Sequence, residues 1–149
     1  MNTHSLSRAA RGVFRRGFTI VEIIVVIVII GVLATLIAPR LIGRVGAAKT
    51  STALSNANSI AGAINTYRLD TGSLPTGPSV MFLVERPTDV EADKWHGPYM
   101  NSRENLLDPW GVEFVLIVPG QRNFDFDVVS YGADKKAGGE GEDQDVTNK

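Results

Sequence analysis

Not one of the 149 residues is cysteine, which excludes disulfide staples, thiolate nucleophiles and cysteine-liganded zinc within the chain. Histidine occurs twice, at His4 and His96, and neither has a metal-ligand partner at useful spacing. No glycine-rich loop ends in Lys-Ser or Lys-Thr, so the usual means of gripping a nucleotide's phosphates is missing. Cations are not in excess either: 15 Lys and Arg stand against 16 Asp and Glu. Without a basic stripe along the body of the chain, nothing supports nucleic-acid binding.

What the chain does have is one long apolar run. From Phe18 to Pro39 the only charge is Glu22, among residues that are nearly all Ile, Val, Leu and Ala. As a helix at about 1.5 Å per residue this stretch reaches roughly 33 Å, enough to cross a hydrocarbon core about 30 Å thick. A helix is also the only single segment that satisfies its own backbone in lipid. The preceding residues carry Arg8, Arg11, Arg15 and Arg16 and no acid. Basic flanks stay cytoplasmic, so the N-terminus is expected inside and the rest of the chain outside. Glu22, the fifth residue counting from Phe18, costs about 2.5–3.5 kcal/mol deep in lipid on insertion scales. Either it snorkels from the helix end or it has a partner.

The helical pattern resumes beyond Pro39, which removes one backbone bond and is expected to kink the helix without ending it. Between Ala47 and Arg68, apolar Leu54, Ala57, Ile60 or Ala61, Ile64 and Tyr67 recur every three or four residues, opposite a polar face. Gly43 and Gly46 suggest a soft segment, since each costs about 1 kcal/mol in a helix interior. The helix should stop at Asp70-Thr71-Gly72, with Gly72 as a left-handed cap and Pro75 beyond it. Residues 71–108 read as loop-rich, with a helical turn over Val80–Glu85 and a turn with aromatic anchors over Trp95–Tyr99. Asp108–Gly111 reads as a turn into a strand over Val112–Val118. A hairpin loop follows at Pro119–Asn123, and then a second strand from Phe124 to Val128 that alternates apolar and acidic. On that strand Asp125 and Asp127 share one face, expected to be solvated rather than a catalytic carboxylate pair.

The order Gly17-Phe18-Thr19-Ile20-Val21-Glu22 ahead of an apolar helix resembles the type IV prepilin signature, shared by type IV pilins and the pseudopilins of type II secretion. The resemblance implies that a prepilin peptidase cuts after Gly17 and methylates Phe18, and that Glu22 pairs with a neighbouring subunit's N-terminal amine during assembly. An ordinary secretory signal would instead have a shorter core cut after it at small residues. Removing residues 1–17 takes away four of the 15 cations and none of the 16 acids, leaving a net charge of about −5.

Further motifs narrow the resemblance. Tyr67-Arg68-Leu69-Asp70, Leu74-Pro75-Thr76, Gly97-Pro98-Tyr99, Leu107-Asp108-Pro109-Trp110-Gly111 and Ser130-Tyr131-Gly132-Ala133-Asp134 look like the major pseudopilins of type II secretion systems. That family implies an α+β fold, a long N-terminal helix packed on a small antiparallel sheet. It divides the chain into a cleaved leader at 1–17, a transmembrane and assembly helix at 18–39, and a periplasmic head at 40–149. The C-terminal run Asp134, Glu140, Glu142, Asp143 and Asp145 reads first, on composition alone, as a solvated acidic tail. The resemblance instead implies calcium, held by Asp134, Asp143 and Asp145 with main-chain oxygens of Tyr131 and Lys136, since calcium takes six to eight oxygen ligands. The chain departs from the family at Lys135, where glycine is usual, at Gln144, where alanine or an acid is common, and in lacking a closing tryptophan.

The function implied is a non-enzymatic subunit, anchored in the inner membrane, that polymerises into the periplasmic pseudopilus of a type II secretion system and helps export folded proteins across the outer membrane. Its partners would be further copies, minor pseudopilins, the prepilin peptidase and the inner-membrane assembly platform, with no nucleic acid. The alternative is a type IV pilin forming a surface fibre for adhesion, motility or DNA uptake, against which the missing cysteine pair counts. A membrane-anchored enzyme would need a catalytic constellation, and none stands out.

Overall fold

The computed structural model describes residues 17–149, without the side chains of 38–42. The leader and its four arginines lie outside the described residues, apart from Gly17. The chain divides into two units, Met1–Pro39 and Arg40–Lys149.

Helix α1 is assigned over Ile20–Thr71, running through Pro39. In the first unit its content is the apolar stretch Ile20–Ile37, with a mean hydropathy of 3.2 and none of its residues buried. Ile23, Val25, Ile29 and Leu33 are each about half exposed, as are their neighbours all round the helix. A helix that is apolar on every face and covered by nothing is built for a non-aqueous surrounding.

The second unit, the head, folds around the C-terminal half of α1. Ala53, Ala57, Ile60, Ala61, Ile64 and Tyr67 form one buried stripe at spacings of three and four. The stripe begins at Ala53; Leu54, read from the sequence as a core position, is only partly buried. Three alanines leave room for large groups from elsewhere: Val80, Phe82, Leu83, Leu106, Phe114, Leu116, Phe126, Val128 and Val146 complete the core. The helix ends as expected. Gly72 takes φ +80° and donates its N–H to the Arg68 carbonyl at 2.9 Å, a left-handed cap that a side chain would strain.

Between helix and sheet lie two short 3₁₀ turns, Met81–Leu83 and Arg103–Leu106. The aromatic anchors meet there: Tyr67 lies 4.7 Å from Phe82 and 5.7 Å from Tyr99, and Tyr99 lies edge-on to Trp95 at 5.8 Å. The Tyr99 hydroxyl donates to Asp70 at 2.8 Å, tying this loop to the last turn of α1.

Three strands, β1 (Val115–Ile117), β2 (Asp127–Ser130) and β3 (Val146–Thr147), form an antiparallel sheet in the order β1-β2-β3. Val115 faces Val129 across one ladder, and Val129 faces Thr147 across the other. The fold is thus the α+β arrangement expected, with a long helix on a small antiparallel sheet.

The second strand corrects the sequence reading. It starts at Asp127, not Phe124, and all four of its residues are buried. The period-two pattern holds, with Phe126 and Val128 in the core, but the opposite face is not open to water. Asp127 and Val129 line a small cavity with residues of the hairpin loop and the C-terminal loop, including Gln121, Tyr131 and Asp145. Phe124, expected on the dry face, is 98% exposed.

Candidate functional site

Two places carry the chemistry singled out in the sequence, one in each unit. In the first unit Gly17 and Phe18 precede the helix, both exposed, with Phe18 at 84% and open space around Gly17. Thr19 is the residue before the first helical position, and Glu22 is the third within it. The Glu22 carboxylate accepts from the Thr19 backbone N–H at 2.9 Å and from its hydroxyl at 3.0 Å. In return the Thr19 hydroxyl accepts from the Glu22 N–H at 3.2 Å. This is a capping box, in which each residue satisfies a donor that the helix start leaves orphaned. The Thr-x-x-Glu spacing was visible in the sequence, yet its capping role went unread beside the apolar run. A carboxylate at a helix N-terminus also meets the positive end of the macrodipole. Glu22 is therefore anchored at the edge of the apolar stretch, three residues from Thr19 and four from Phe18.

In the head, the C-terminal loop connects β2 to β3 and folds back on itself. A Cβ on Gly132 would fall 2.6 Å from the Glu142 carbonyl oxygen, and one on Gly139 would fall 2.5 Å from that of Asp143. Glycine thus lets 131–139 press directly against the 3₁₀ turn Gly141–Asp143. The Ala133 N–H donates to the Glu142 carbonyl at 2.9 Å. Gly46 on α1 is equally crowded, buried beneath the Glu142 side chain. It is a packing glycine where the loop meets the helix, whereas Gly43 has open space around it.

The five residues expected to hold calcium behave unequally. Asp134 is exposed, and its Oδ1 accepts from the Lys136 N–H at 3.0 Å. Asp145 accepts the Gly138 N–H at Oδ2, 2.9 Å away, while its Oδ1 is buried with no partner. Asp143 is half-buried in the 3₁₀ turn, and Tyr131 follows directly on β2. Among the described residues no three Asp, Glu, His or Cys side chains converge as a metal cluster. An ion here would have to draw on main-chain oxygens as well as carboxylates. The donor chemistry fits a hard cation in that sense, and the orphaned Asp145 Oδ1 is an oxygen in need of a positive partner.

Asp127, expected to be solvated, is instead the most heavily bonded carboxylate in the head. Its Oδ2 accepts from the N–H groups of Gln121 at 2.6 Å and Arg122 at 2.7 Å, and its Oδ1 from the Asn123 N–H and side-chain amide, each at 2.9 Å. Burial alone would push this carboxyl up, but those donors outweigh it and hold it below the usual carboxylate range. Asp127 is a structural clamp on the hairpin loop. Asp108 plays the same part in the turn before β1, accepting from Trp110, Val112 and the Ser130 hydroxyl. Asp125, its supposed companion, is exposed and pairs with Arg68 at 2.6 Å.

Comparison with known proteins separates family from resemblance. The model of type II secretion system protein G matches residues 40–149, and that of the prokaryotic N-terminal methylation motif matches residues 14–38. The chain belongs to the type II secretion system protein G family. Type II secretion system core protein G of Pseudomonas aeruginosa is 37% identical over 133 residues, covering 89% of this chain and 93% of that protein. The Escherichia coli K12 protein of the same name is 38% identical over 135 residues, covering 90% of each. In three dimensions the chain is similar to the crystal structure of the major pseudopilin from the type 2 secretion system of enterohaemorrhagic Escherichia coli. The TM-score is 0.56 at 28% identity, with 72% of this chain and 87% of that one covered. A protein G family member assembles into a pseudopilus with other components of its secretion system. An apolar helix joined to a methylation motif fits a single-pass, membrane-anchored, pilin-like subunit.

Proposed function

We propose that the chain is a non-enzymatic, structural subunit of the periplasmic pseudopilus, cut after Gly17, methylated on Phe18 and polymerised through its apolar helix. The observation that carries this reading is the apolar stretch Ile20–Ile37, none of it buried and interrupted only by Glu22. Before assembly lipid covers the stretch; in a filament other copies of the same helix do, so the apolar surface is never returned to water. The N-terminus lies on the cytoplasmic side of the inner membrane and the head in the periplasm. A free α-amine on Phe18 has a pKa near 8 and is mostly charged at neutral pH. Pairing it with Glu22 of a neighbour offsets the burial of both charges inside the apolar bundle. The peptidase, the minor pseudopilins and the inner-membrane assembly platform are its partners in this scheme.

The test is isolation of filaments from cells producing the full chain, with mass spectrometry of the subunit. The expected result is a chain beginning at methylated Phe18. A Glu22→Ala variant should insert in the membrane but yield no filaments and no secretion. Wild-type filament yield from that variant would overturn the pairing role.

The same reading assigns calcium to the C-terminal loop. Asp134, Asp143 and Asp145, with main-chain oxygens of Tyr131 and Lys136, would hold the ion, whose charge would satisfy the buried Asp145 Oδ1 and pin the loop beside β2. A ligand that binds only the folded state adds about 2.7 kcal/mol at a hundredfold excess over its dissociation constant. The head should therefore melt higher in millimolar calcium than in chelator, and Asp145→Asn should remove most of the difference. Melting indifferent to calcium would leave an acidic tail.

A further inference from the structure

Phe124 has no place in the core and no lipid to hide in. It is 98% exposed at the tip of the β1–β2 hairpin, yet the loop beneath it is braced from three sides. Asp127 gathers the N–H groups of Gln121, Arg122 and Asn123. Gly120 donates to the Asp125 carbonyl at 3.2 Å, and Asp125 is tied to Arg68 of α1 at 2.6 Å. An ordered loop that displays one large aromatic side chain has already lost the entropy that binding would otherwise cost. Aromatic anchors of this kind dominate protein interfaces.

The head also carries a receptor. Residues 74–78 and strand residues 115–118 line an apolar groove of about 570 Å³. It is closed at one end, where Ser79 pairs with Val115 and the Leu116 N–H donates to the Pro78 carbonyl at 2.8 Å. Knob and groove have no lining residue in common. The groove runs along β1, whereas Phe124 shares its surroundings with Asn148, just past β3, and with Ala61 and Asn65 of α1. Their flanking charges are complementary. Arg122, two residues from Phe124, makes no salt bridge among the described residues, while Asp125 is already paired. Asp89 lies in the pocket that adjoins the groove and shares Pro75–Pro78 with it.

We infer that Phe124 of one subunit inserts into the groove between residues 74–78 and β1 of a second copy of this chain, with Arg122 meeting Asp89 at the rim. A knob and a hole on different surfaces of one molecule make a heterologous contact, which propagates into rings or open helices and not closed dimers. This inference rests on the pseudopilus reading and adds to it the head-to-head contact that sets subunit register outside the membrane.

The natural absence of cysteine makes the test direct. Full-length chains carrying Asp89→Cys and Arg122→Cys together, which place a thiol on each side of the proposed rim contact and keep Phe124, are assembled, oxidised and run without reductant. The double variant should give a ladder of dimers, trimers and higher species, and each single variant only monomer. Dimers from a single variant as strong as those from the double, or filaments of the double variant without a ladder, would overturn the contact. Independently, Phe124→Ala should lower filament yield about tenfold, as the loss of one buried anchor predicts, with the melting of the head unchanged. Arg122→Glu should lower yield as well, and Asp89→Arg in the same chain should restore it; full yield from Phe124→Ala, or no restoration, counts against the inference. Wild-type chains that form no filaments by electron microscopy would overturn the pseudopilus reading itself, and this contact with it.

Discussion

The two halves of α1 are the same secondary structure built on opposite plans. Over Ile20–Ile37 the residues are large and mostly β-branched on every side, and none is buried. Over Ala53–Tyr67 one stripe is buried completely, and half its members are alanine. In water β-branched residues are mediocre helix formers, and apolar surface on all faces is costly. The first half is therefore stable only in lipid or among its own copies, while the second is stable because the head covers it. Each unit also uses carboxylates to hold main-chain N–H groups, Glu22 in the first and Asp127 foremost in the head. Glu22 closes an exposed helix start with Thr19, whereas Asp127 is 1% exposed and clamps three successive loop N–H groups. What differs is what each holds: Glu22 closes the start of a helix that is exposed on every face, whereas Asp127 closes a loop against the packed head.

Cavity formation breaks this comparison most sharply. Ile64 is fully buried in the head core, and Ile29 is 52% exposed on the apolar stretch. Ile64→Ala should destabilise the head by about 2–5 kcal/mol, the usual range for an isoleucine lost from a packed core. Ile29→Ala should leave the head's melting temperature unchanged. Both tryptophans, Trp95 and Trp110, lie in the head, so fluorescence of the full chain in detergent reports that unit alone. Equal shifts from the two substitutions would show that the two plans are not independent.

Acid should act next, through Asp127. Its folded-state pKa is lowered by the hairpin N–H groups. The stability it contributes is therefore present above the unfolded carboxyl's value of about 3.9, and is lost as pH falls through the lower folded value. Denaturant melts of the soluble head should show stability dropping below about pH 4, and Asp127→Asn should flatten that limb. Asp127→Ala should cost about 1–3 kcal/mol at neutral pH, because buried N–H groups lose their acceptor. Glu104 is also held low, by the Ser102 hydroxyl, but it is exposed and should add little. A wild-type head as stable at pH 3 as at pH 7 would remove Asp127 from this role.

These contrasts mark how far the sequence could be read. The apolar stretch was legible because length and composition alone decide it. The helix stripe and its end at Gly72 were legible because each rests on local chemistry, periodicity and a left-handed cap. Hydropathy ranks Leu54 above Ala53 as a core position, whereas the core takes the smaller side chain at that spacing. Asp127 was misread because alternation gives the face a residue points to, not what covers that face. Its cover comes from the hairpin and from the loop before β3, which returns from about 18 residues later in the chain. β3 itself is two residues long and carries no pattern of its own. Gly46 looked like a helix weakness because its partner, Glu142, is far away in sequence. The proposed calcium ligands rest on family resemblance, beside which the structure offers one buried and unpartnered oxygen, Asp145 Oδ1.

The smallest expected effect lies at Lys135, and it sharpens the contrast in backbone between the two regions. Among the described residues, those with positive φ all fall beyond the helix, from Gly72 to Gly141, and all are glycine except Lys135 at φ +61°. Left-handed backbone places Cβ too close to the following carbonyl and costs about 1–2 kcal/mol for an ordinary L-residue. Lysine therefore holds this conformation against its own preference. Lys135 is exposed and makes no salt bridge among the described residues, so its side chain offers little in return. Lys135→Gly relieves that strain but gives the unfolded chain more freedom to lose, an opposing term of about 0.4–1 kcal/mol. The net expectation is a gain of up to about 1 kcal/mol, roughly 4–8 °C in melting temperature for a domain of this size. On the calcium proposal, removing a cation next to Asp134 should also tighten the ion, and the gain should then be larger in calcium than in chelator. A Lys135→Gly head that melts lower than the wild type in both would mean that the left-handed backbone at Lys135 carries no strain to relieve.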